Sequence, residues 1–226
     1  MRIRILKNFF LFIVALAFVA CNPTRYVKPL KKDEQAVNVS LGGPMINFAG
    51  APIPIPYTTI SYGYGVTEKT TMFAGLHTTS ALFGNFQTDL GAVRNLYFNE
   101  NKRFGVSALG AVNVAVHKFK TGFRVWPQVD LNAYWNYKKD KENMLYGGLT
   151  NWFEREKTRA HGEPQNNFML LNPHIGHVFN NGKWSFTTEA KYLLPTVSNQ
   201  NLVVDYVKFF GKKGALGIYF GVQRNF

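Results

Sequence analysis

The chain has 226 residues, a formal net charge of +13, 15% aromatic residues and 17% charged residues. This combination of many aromatic residues and few charges excludes an intrinsically disordered chain. After residue 21 no stretch approaches ~18 uninterrupted apolar residues, which excludes membrane-spanning helices from the rest of the chain.

The first 21 residues have the pattern of an export signal. Three basic residues precede an apolar run from Phe9 to Val19, and a small residue, Ala20, follows that run. A basic start, a short apolar stretch and a small residue before the cleavage site are typical of secretory signals. The apolar run is too short to span a membrane as a helix.

The end of this run, Phe18-Val19-Ala20-Cys21, resembles the signal of bacterial lipoproteins. In that family the leader is removed before the cysteine, the cysteine carries diacylglycerol, and its new N-terminus is acylated. The usual leucine three residues before the cysteine is Phe18 here. The resemblance implies a signal peptide at 1–20 and lipid attachment at Cys21. The alternative is ordinary secretory cleavage near Ala20, which would leave Cys21 without a disulfide partner in an oxidising compartment.

Residues 21–35 are predicted to form an acylated N-terminal tether. Positions 22–35 are polar, basic and proline-containing and lack a strand period, which predicts a tether, with Lys32-Asp33-Glu34 as a solvated linker. The export signal argues against nucleic acid as a partner of this basic chain. The expected partners are outer-membrane lipids, lipopolysaccharide phosphates and other envelope proteins.

Ten segments between residues 36 and 226 alternate apolar side chains with small or polar ones, which is the period of a β-strand. Their usual length of ~10–13 residues suits tilted strands that cross a membrane. The segment 144–153 alternates poorly, and Val203–Phe210 fits a strand, a loop or a short helix. The ten predicted strands are 36–45, 59–66, 71–82, 86–98, 104–117, 123–136, 144–153, 169–179, 184–194 and 215–226.

The last of these segments ends the chain on an aromatic residue. It resembles the closing strand of bacterial outer-membrane β-barrels, in which a glycine is followed by spaced apolar residues and a terminal Phe. Gly217 and Phe226 fit that pattern, and Arg224 departs from it. An edge strand of a soluble sandwich would show the same alternation. The apolar face of the segment consists of Leu216, Ile218, Phe220, Val222 and Phe226.

These features together predict that residues 36–226 form an all-β, closed antiparallel transmembrane β-barrel of roughly ten strands. Backbone groups in hydrocarbon must all be paired, so a membrane-spanning sheet has to close. The short polar turns are expected on the periplasmic side and the longer loops outside, provided that Val203–Phe210 adds no strand. Arg94 is a single charge on the predicted lipid face. The alternative fold is a soluble β-sandwich lipoprotein with the same alternation.

The predicted lumen contains titratable residues, but no spacing among them singles out a catalytic triad. His174 and His177 are three residues apart, which places them on opposite faces of a strand and disfavours a shared metal. No phosphate-binding glycine motif is present. We therefore predict no catalytic residue, cofactor or metal site, and a lumen filled by paired side chains. The candidate lumenal groups are His77, Asp89, His117, Arg124, Asp130, His174, Glu189 and Lys191.

The predicted function is that of a lipid-anchored outer-membrane barrel, anchored through Cys21, with a non-enzymatic structural or accessory role in an envelope complex. The alternative is an outer-membrane hydrolase that acts on lipid A or peptides. A passive pore is disfavoured because side chains nearly fill the lumen of a barrel this small. Basic residues in two extracellular loops suit a solvated rim or contact with lipopolysaccharide phosphates. They are Arg155, Lys157, Arg159, His161, Lys208, Lys212 and Lys213.

The lipoprotein signal is testable at the attachment residue. We predict that Cys21→Ser blocks both lipid labelling and signal processing, because serine cannot form the thioether. Incorporation of labelled palmitate, followed on gels beside the unaltered chain, measures this. Normal labelling of the variant would contradict the assignment.

Overall fold

The computed structural model describes most of the chain after the export signal. Cys21 and the predicted signal peptide lie outside the described residues, so lipid attachment and processing stay predictions. Within the described part, no helix is long and apolar enough to cross a membrane. The described residues are 23–101, 103–118, 122–137, 143–158, 164–199, 204–209 and 211–226.

Strands dominate the described residues, which contain a single short helix. In chain order the elements are β1 (Gln35–Phe48), β2 (Ala51–Pro54), β3 (Tyr57–Thr67), β4 (Thr70–His77), α1 (Thr78–Leu82), β5 (Asn85–Phe98), β6 (Phe104–His117), β7 (Phe123–Asn136), β8 (Met144–Phe153), β9 (Met169–Asn181), β10 (Trp184–Ser198) and β11 (Lys213–Asn225). The short β2 pairs only with the end of β1, as a hairpin.

The other ten strands form one closed antiparallel barrel. Each pairs with its neighbour in the chain, and β11 returns to pair with β1 from Ala36↔Asn225 to Pro44↔Gly217. This pairing removes the two free edges that an open sheet would leave. The prediction of a closed antiparallel barrel of about ten strands is confirmed.

The connections differ between the two ends of the barrel. At one end, here called the turn end, the strands are joined by 68–69, 99–103, 137–143 and 182–183. The other end, the loop end, has longer connections such as 154–168 and 199–212. The described residues 204–209 form no strand and make only a bridge between Tyr206 and Ile46. The strand number therefore stays even, and β1 starts where β11 finishes, at the turn end.

The two faces of the barrel wall have opposite polarity. Outward side chains such as Leu90 and Ile175 are 60% and 64% exposed, whereas the inward Asp130 is fully buried. An apolar outer surface around a polar interior is the reverse of a water-soluble fold and suits a lipid surrounding. The sandwich alternative is wrong, because it would bury these apolar faces between two sheets.

The predicted third strand ends earlier than expected, because residues 78–82 form the helix α1. The hydroxyl of Thr79 accepts a hydrogen bond from the backbone N–H of Thr58 at 2.8 Å, and the Phe83 N–H donates to the Ser80 carbonyl at 3.2 Å. Such local bonds from Ser and Thr compete with extended pairing. The helix turns the chain at the loop end.

A β-bulge in β5 changes which residues face outward. The register shifts between Asn95 and Tyr97, so Phe98 packs against an inner cluster and not on the lipid face that the alternation predicts. A bulge adds one residue to a strand and so reverses the facing beyond it. The predicted lipid-facing Arg94 is exposed and pairs with Thr70, the first residue of β4, close to the turn end.

Residues 23–34 form an N-terminal segment that enters the barrel from the turn end. Thr24, Arg25, Tyr26, Val27 and Leu30 are all buried. Residues 23–30 are therefore packed against the barrel wall, whereas Lys32 and Asp33 of the predicted solvated linker are exposed at the rim. Polarity and proline content predicted a tether, but they do not show that a barrel wall supplies partners for the same groups.

A charge introduced on the outer face tests whether that face contacts lipid. Leu90→Arg should lower the free energy of unfolding in lipid by about 2–4 kcal/mol, because Leu90 lies within β5 away from both ends. Val66→Arg, close to the turn end of β3, is the matched control and should cost about 0–1 kcal/mol. Denaturant unfolding in vesicles, read from folded-band migration, measures both. Equal small losses would contradict a lipid-facing Leu90.

Candidate functional site

The N-terminal segment is fixed at the rim by a turn. The Asp33 N–H donates to the Gly65 carbonyl at 2.8 Å, and the Gly65 N–H donates to the Glu34 carbonyl at 2.9 Å. Asp33 adopts a positive φ of 63°, and the Glu34 carboxylate accepts from the Asn225 amide at 2.9 Å. These bonds reverse the chain between β1 and the lumen and direct residues 23–30 inward.

Inside the barrel the backbone of the segment is bonded to side chains of the wall. The Leu30 N–H donates to the Thr71 hydroxyl at 2.7 Å, and the Ser107 hydroxyl donates to the Val27 carbonyl at 2.5 Å. The segment forms no strand, so its backbone groups need such partners when they are buried. Polar residues of β4 and β6 supply them.

Apolar contacts hold the same segment. The ring of Tyr26 lies 5.9 Å from that of Phe73, and Val27 packs in a second cluster with Tyr134, Met144 and Tyr146. The first cluster consists of Tyr26, Leu30, Ala36, Phe73, Val93, Leu109 and Ala111. Its wall residues are apolar although they lie on the otherwise polar lumenal face. That break in the alternation was the available sequence signal for an internal occupant.

Arg25 is the centre of the first of two lumenal ionic networks. Its guanidinium donates to the Asp89 carboxylate at 2.7 Å and to the Thr59 hydroxyl at 3.0 Å. The imidazole of His77 lies 3.5 Å from the same Asp89 oxygen, and Thr59 also hydrogen-bonds Ser40. The side chains of Arg25 and Asp89 are each only 4% exposed. We call Arg25, Thr59, His77 and Asp89 the arginine site.

The barrel register explains how the arginine site assembles. Thr59 of β3 is paired with His77 of β4, and Gly75 of β4 is paired with Asp89 of β5. Three neighbouring strands thus place these side chains on one patch of the lumenal wall. The sequence identified His77 and Asp89 as lumenal, but not their meeting with Arg25, because no local spacing links residues of different strands and a separate segment.

Glu189 is the centre of the second network. Its carboxylate accepts from the Thr24 backbone N–H at 3.2 Å and from the Tyr146 hydroxyl at 2.9 Å. The ammonium group of Lys191 lies 3.4 Å from Glu189 and 3.5 Å from the Thr150 hydroxyl. This fully buried carboxylate therefore has a cation and several donors, which a charge inside a barrel needs.

The remaining lumenal candidates extend that network or stay apart from it. His174 contacts the Asn132 amide oxygen at 2.7 Å and the Thr150 hydroxyl at 3.5 Å. Asp130 accepts from the Gln128 amide at 2.9 Å. Arg124 is half-buried near the loop end, and the side chain of His117 lies outside the described residues. The prediction that His77, Asp89, Asp130, His174, Glu189 and Lys191 line the lumen is confirmed.

His177 faces away from His174, as the strand period predicts. Its ring nitrogen lies 2.8 Å from the hydroxyl of Tyr137, in an exposed pair near the turn end. Among the described residues no group of three or more His, Cys, Asp and Glu side chains is arranged to hold a metal ion.

A cavity of about 320 Å³ lies beside the N-terminal segment. Pro23, Thr24 and Arg25 form one side of it, and Glu189 lies in its wall. Asn180, Gln223 and Asn225 from the turn-end halves of β9 and β11 complete a lining of both polar and apolar groups. The cavity adjoins the arginine site through Arg25.

The predicted basic loops are described only in part. Arg155, Lys157 and Lys212 are exposed at the loop end. Lys208 lies 3.4 Å from Asp205. A hydrogen bond from the Asn47 amide and the nearby Lys208 lower the pKa of Asp205. Residues 159–163, which include Arg159 and His161, lie outside the described residues.

No family model matches the chain, and no curated protein matches it. Three solved structures are similar. An outer-membrane channel from Pseudomonas putida F1 shares 12% identity over 91% of this chain and 100% of its own, with a TM-score of 0.49. The outer-membrane protease OmpT from Escherichia coli shares 10% identity over 86% of this chain and 97% of its own, with a TM-score of 0.43. The NanC porin shares 8% identity over 84% of this chain and 98% of its own, with a TM-score of 0.46.

These likenesses, all below a TM-score of 0.5, say nothing about substrate or activity. The geometry of the chain itself is sufficient for the architecture. A single antiparallel sheet of ten strands closes on itself, with an apolar outer surface and a polar lumen. The chain therefore has the fold of an outer-membrane β-barrel.

The second network is testable by removal of its cation. Lys191→Met should lower the free energy of unfolding by about 3–5 kcal/mol, because it leaves the buried Glu189 carboxylate without its charged partner. Lys183→Met, an exposed position in the turn after β9, is the control and should stay within about 0.5 kcal/mol. Equilibrium denaturation of both variants measures this. Indistinguishable unfolding curves would show that Lys191 does not compensate Glu189.

Proposed function

We propose that this protein is a lipid-anchored outer-membrane barrel with a non-enzymatic, structural or accessory role in a larger envelope complex. The observation that carries the proposal is the lumen. It is occupied by the chain's own N-terminal segment and by two buried ionic networks. A barrel filled in this way presents its outer wall, its rims and its loops to other molecules, and keeps its interior for its own stability.

The outer surface of the barrel supports the proposed location in the outer membrane. Exposed apolar side chains cover the strands, and aromatic residues gather near the turn end, as in the girdles of membrane barrels. There the Arg224 guanidinium lies 5.4 Å from the Trp184 ring and 5.1 Å from the Phe226 ring. Cation–π contacts of this kind hold a charge beside aromatic groups at an interface.

The segment also supports a closed rather than a conducting barrel. It runs inward from the turn end to Arg25, which reaches Asp89 in the loop-end half of β5. Tyr134 and Tyr219 are almost fully buried on the same interior. Side chains fill most of the lumen of small barrels, and here a folded segment adds to them.

The contacts of the lumenal histidines do not favour a hydrolase. His77 and Asp89 belong to the arginine site. The Thr150 hydroxyl is 3.5 Å from His174, but the two residues are 1% and 6% exposed, and neither lines the cavity. A catalytic nucleophile and its base must reach a bound substrate, and this pair lies within the packed wall network.

The anchor and the partners complete the proposal. Cys21 would carry the lipid that holds the N-terminus to the membrane. The exposed basic residues of the loop end, among them Arg155 and Lys157, would face lipopolysaccharide phosphates or an acidic envelope protein.

A pull-down tests the accessory role. The chain is tagged within the 137–143 turn, extracted in mild detergent and analysed by mass spectrometry, with the untagged chain as control. We expect stoichiometric recovery of other envelope proteins. A monomer without partners, together with altered lipid A in a strain that lacks the gene, would contradict the proposal and favour the hydrolase.

A further inference from the structure

The arginine site has the construction of a binding site and not only of an ion pair. Two different acceptors meet the two terminal nitrogens of one guanidinium: the Asp89 carboxylate at 2.7 Å and the Thr59 hydroxyl at 3.0 Å. A planar, forked cation suits two acceptors spaced in this way, whereas an ammonium group is a single point charge.

Glycines in the barrel wall beside the arginine site make room for the N-terminal segment. A Cβ atom on Gly75 would lie 2.8 Å from a terminal nitrogen of Arg25 and would collide with the Asp89 carboxylate. A Cβ atom on Gly63 would lie 2.6 Å from the Tyr26 ring. These glycines therefore leave a groove in β3 and β4 that a larger side chain would close.

The site is also reachable from within the barrel. Arg25 separates it from the cavity of about 320 Å³, which Arg25 itself helps to line. Removal of the Arg25 side chain would connect the cavity to Asp89 and Thr59. A buried carboxylate that loses its cation is costly to the protein, so the emptied site would favour a replacement cation.

The lipid anchor proposed above would oppose docking of the N-terminal segment in the lumen. Thr24 is bonded to Glu189, which lies about 16 Å along β10 from the turn end at 3.3 Å per residue. Cys21 is two residue steps from Pro23, and two steps span at most about 7 Å. A lipid on Cys21 that enters the bilayer would therefore draw the segment toward the turn end, away from the arginine site.

We propose that the arginine site is a binding site for guanidinium-bearing ligands, such as an arginine side chain of a peptide. Arg25 occupies it while the N-terminal segment is docked, and the site becomes available when the segment leaves. The ligand's guanidinium takes the position of Arg25, with Asp89 as its counter-ion and Thr59 as its second acceptor. The reason for departure rests on the proposed anchor, but the chemistry of the site does not.

Chemical rescue tests the site in the full-length chain. Arg25→Ala removes the atoms that ethylguanidinium contains, so ethylguanidinium chloride at millimolar concentration should raise the unfolding temperature of the variant in a saturable manner. The temperature is read from loss of the fast-migrating folded band on gels. Ethylammonium should bind about tenfold more weakly, because it loses a charge-assisted hydrogen bond. The double variant Arg25→Ala/Asp89→Asn should not respond.

The absence of rescue in Arg25→Ala, or equal rescue in the double variant, would overturn the proposal. If Arg25→Ala does not fold, Arg25→Ser, which vacates the same volume, is tested in the same way. A second measurement uses the unaltered chain, in which Tyr26 is only 5% exposed. Ethylguanidinium should accelerate chymotrypsin cleavage after Tyr26 by displacing the segment, and ethylammonium should not. An unchanged cleavage rate would contradict displacement. Palmitate labelling of Cys21 is independent of these results, so failure of the anchor and failure of the site are distinguishable.

Discussion

The pairing of β1 with β11 is the constraint on which the rest of the structure depends. It closes the sheet from Ala36↔Asn225 to Pro44↔Gly217, so every strand of the barrel has two neighbours. Once the wall is closed, alternate side chains point either outward to an apolar surrounding or inward to a narrow lumen. No strand of the wall then has an unpaired edge in the lipid, and the inner polar groups must find partners inside.

The lumen meets that requirement with groups from both the wall and the N-terminal segment. Without Arg25, the buried Asp89 carboxylate would lose its guanidinium partner. The Glu189 carboxylate accepts a hydrogen bond from the Thr24 backbone N–H in addition to its ion pair with Lys191. A buried ion pair is weak evidence for stability by itself, but the removal of one partner leaves a costly charge. The segment is therefore held by contacts that are specific in position, and its departure would expose a cation-binding groove.

The sequence predicted the strands of the barrel wall far better than the contacts inside the lumen. Period-two alternation predicted correctly that residues such as Ile60 and Phe220 face outward, because successive side chains of a strand point to opposite faces. It could not show the bulge before Phe98 or the end of β4 at His77, since these depend on local bonds. It also failed for Arg25, whose partners Thr59 and Asp89 lie on β3 and β5 and are brought together only by the tertiary fold. Phe73, on the polar face, was the signal that something apolar occupies the lumen.

The most direct test of the occupied lumen is a proton–proton distance in the chain without a lipid on Cys21. The Tyr26 ring packs directly against the backbone of Gly63, with no room for a Cβ atom between them. Nuclear Overhauser spectroscopy of the full chain in micelles should show cross-peaks between the Tyr26 ring protons and the Gly63 α-protons. A well-dispersed barrel spectrum that lacks these cross-peaks, with a Tyr26 ring in free rotation, would show that the segment lies outside the lumen and would contradict the account.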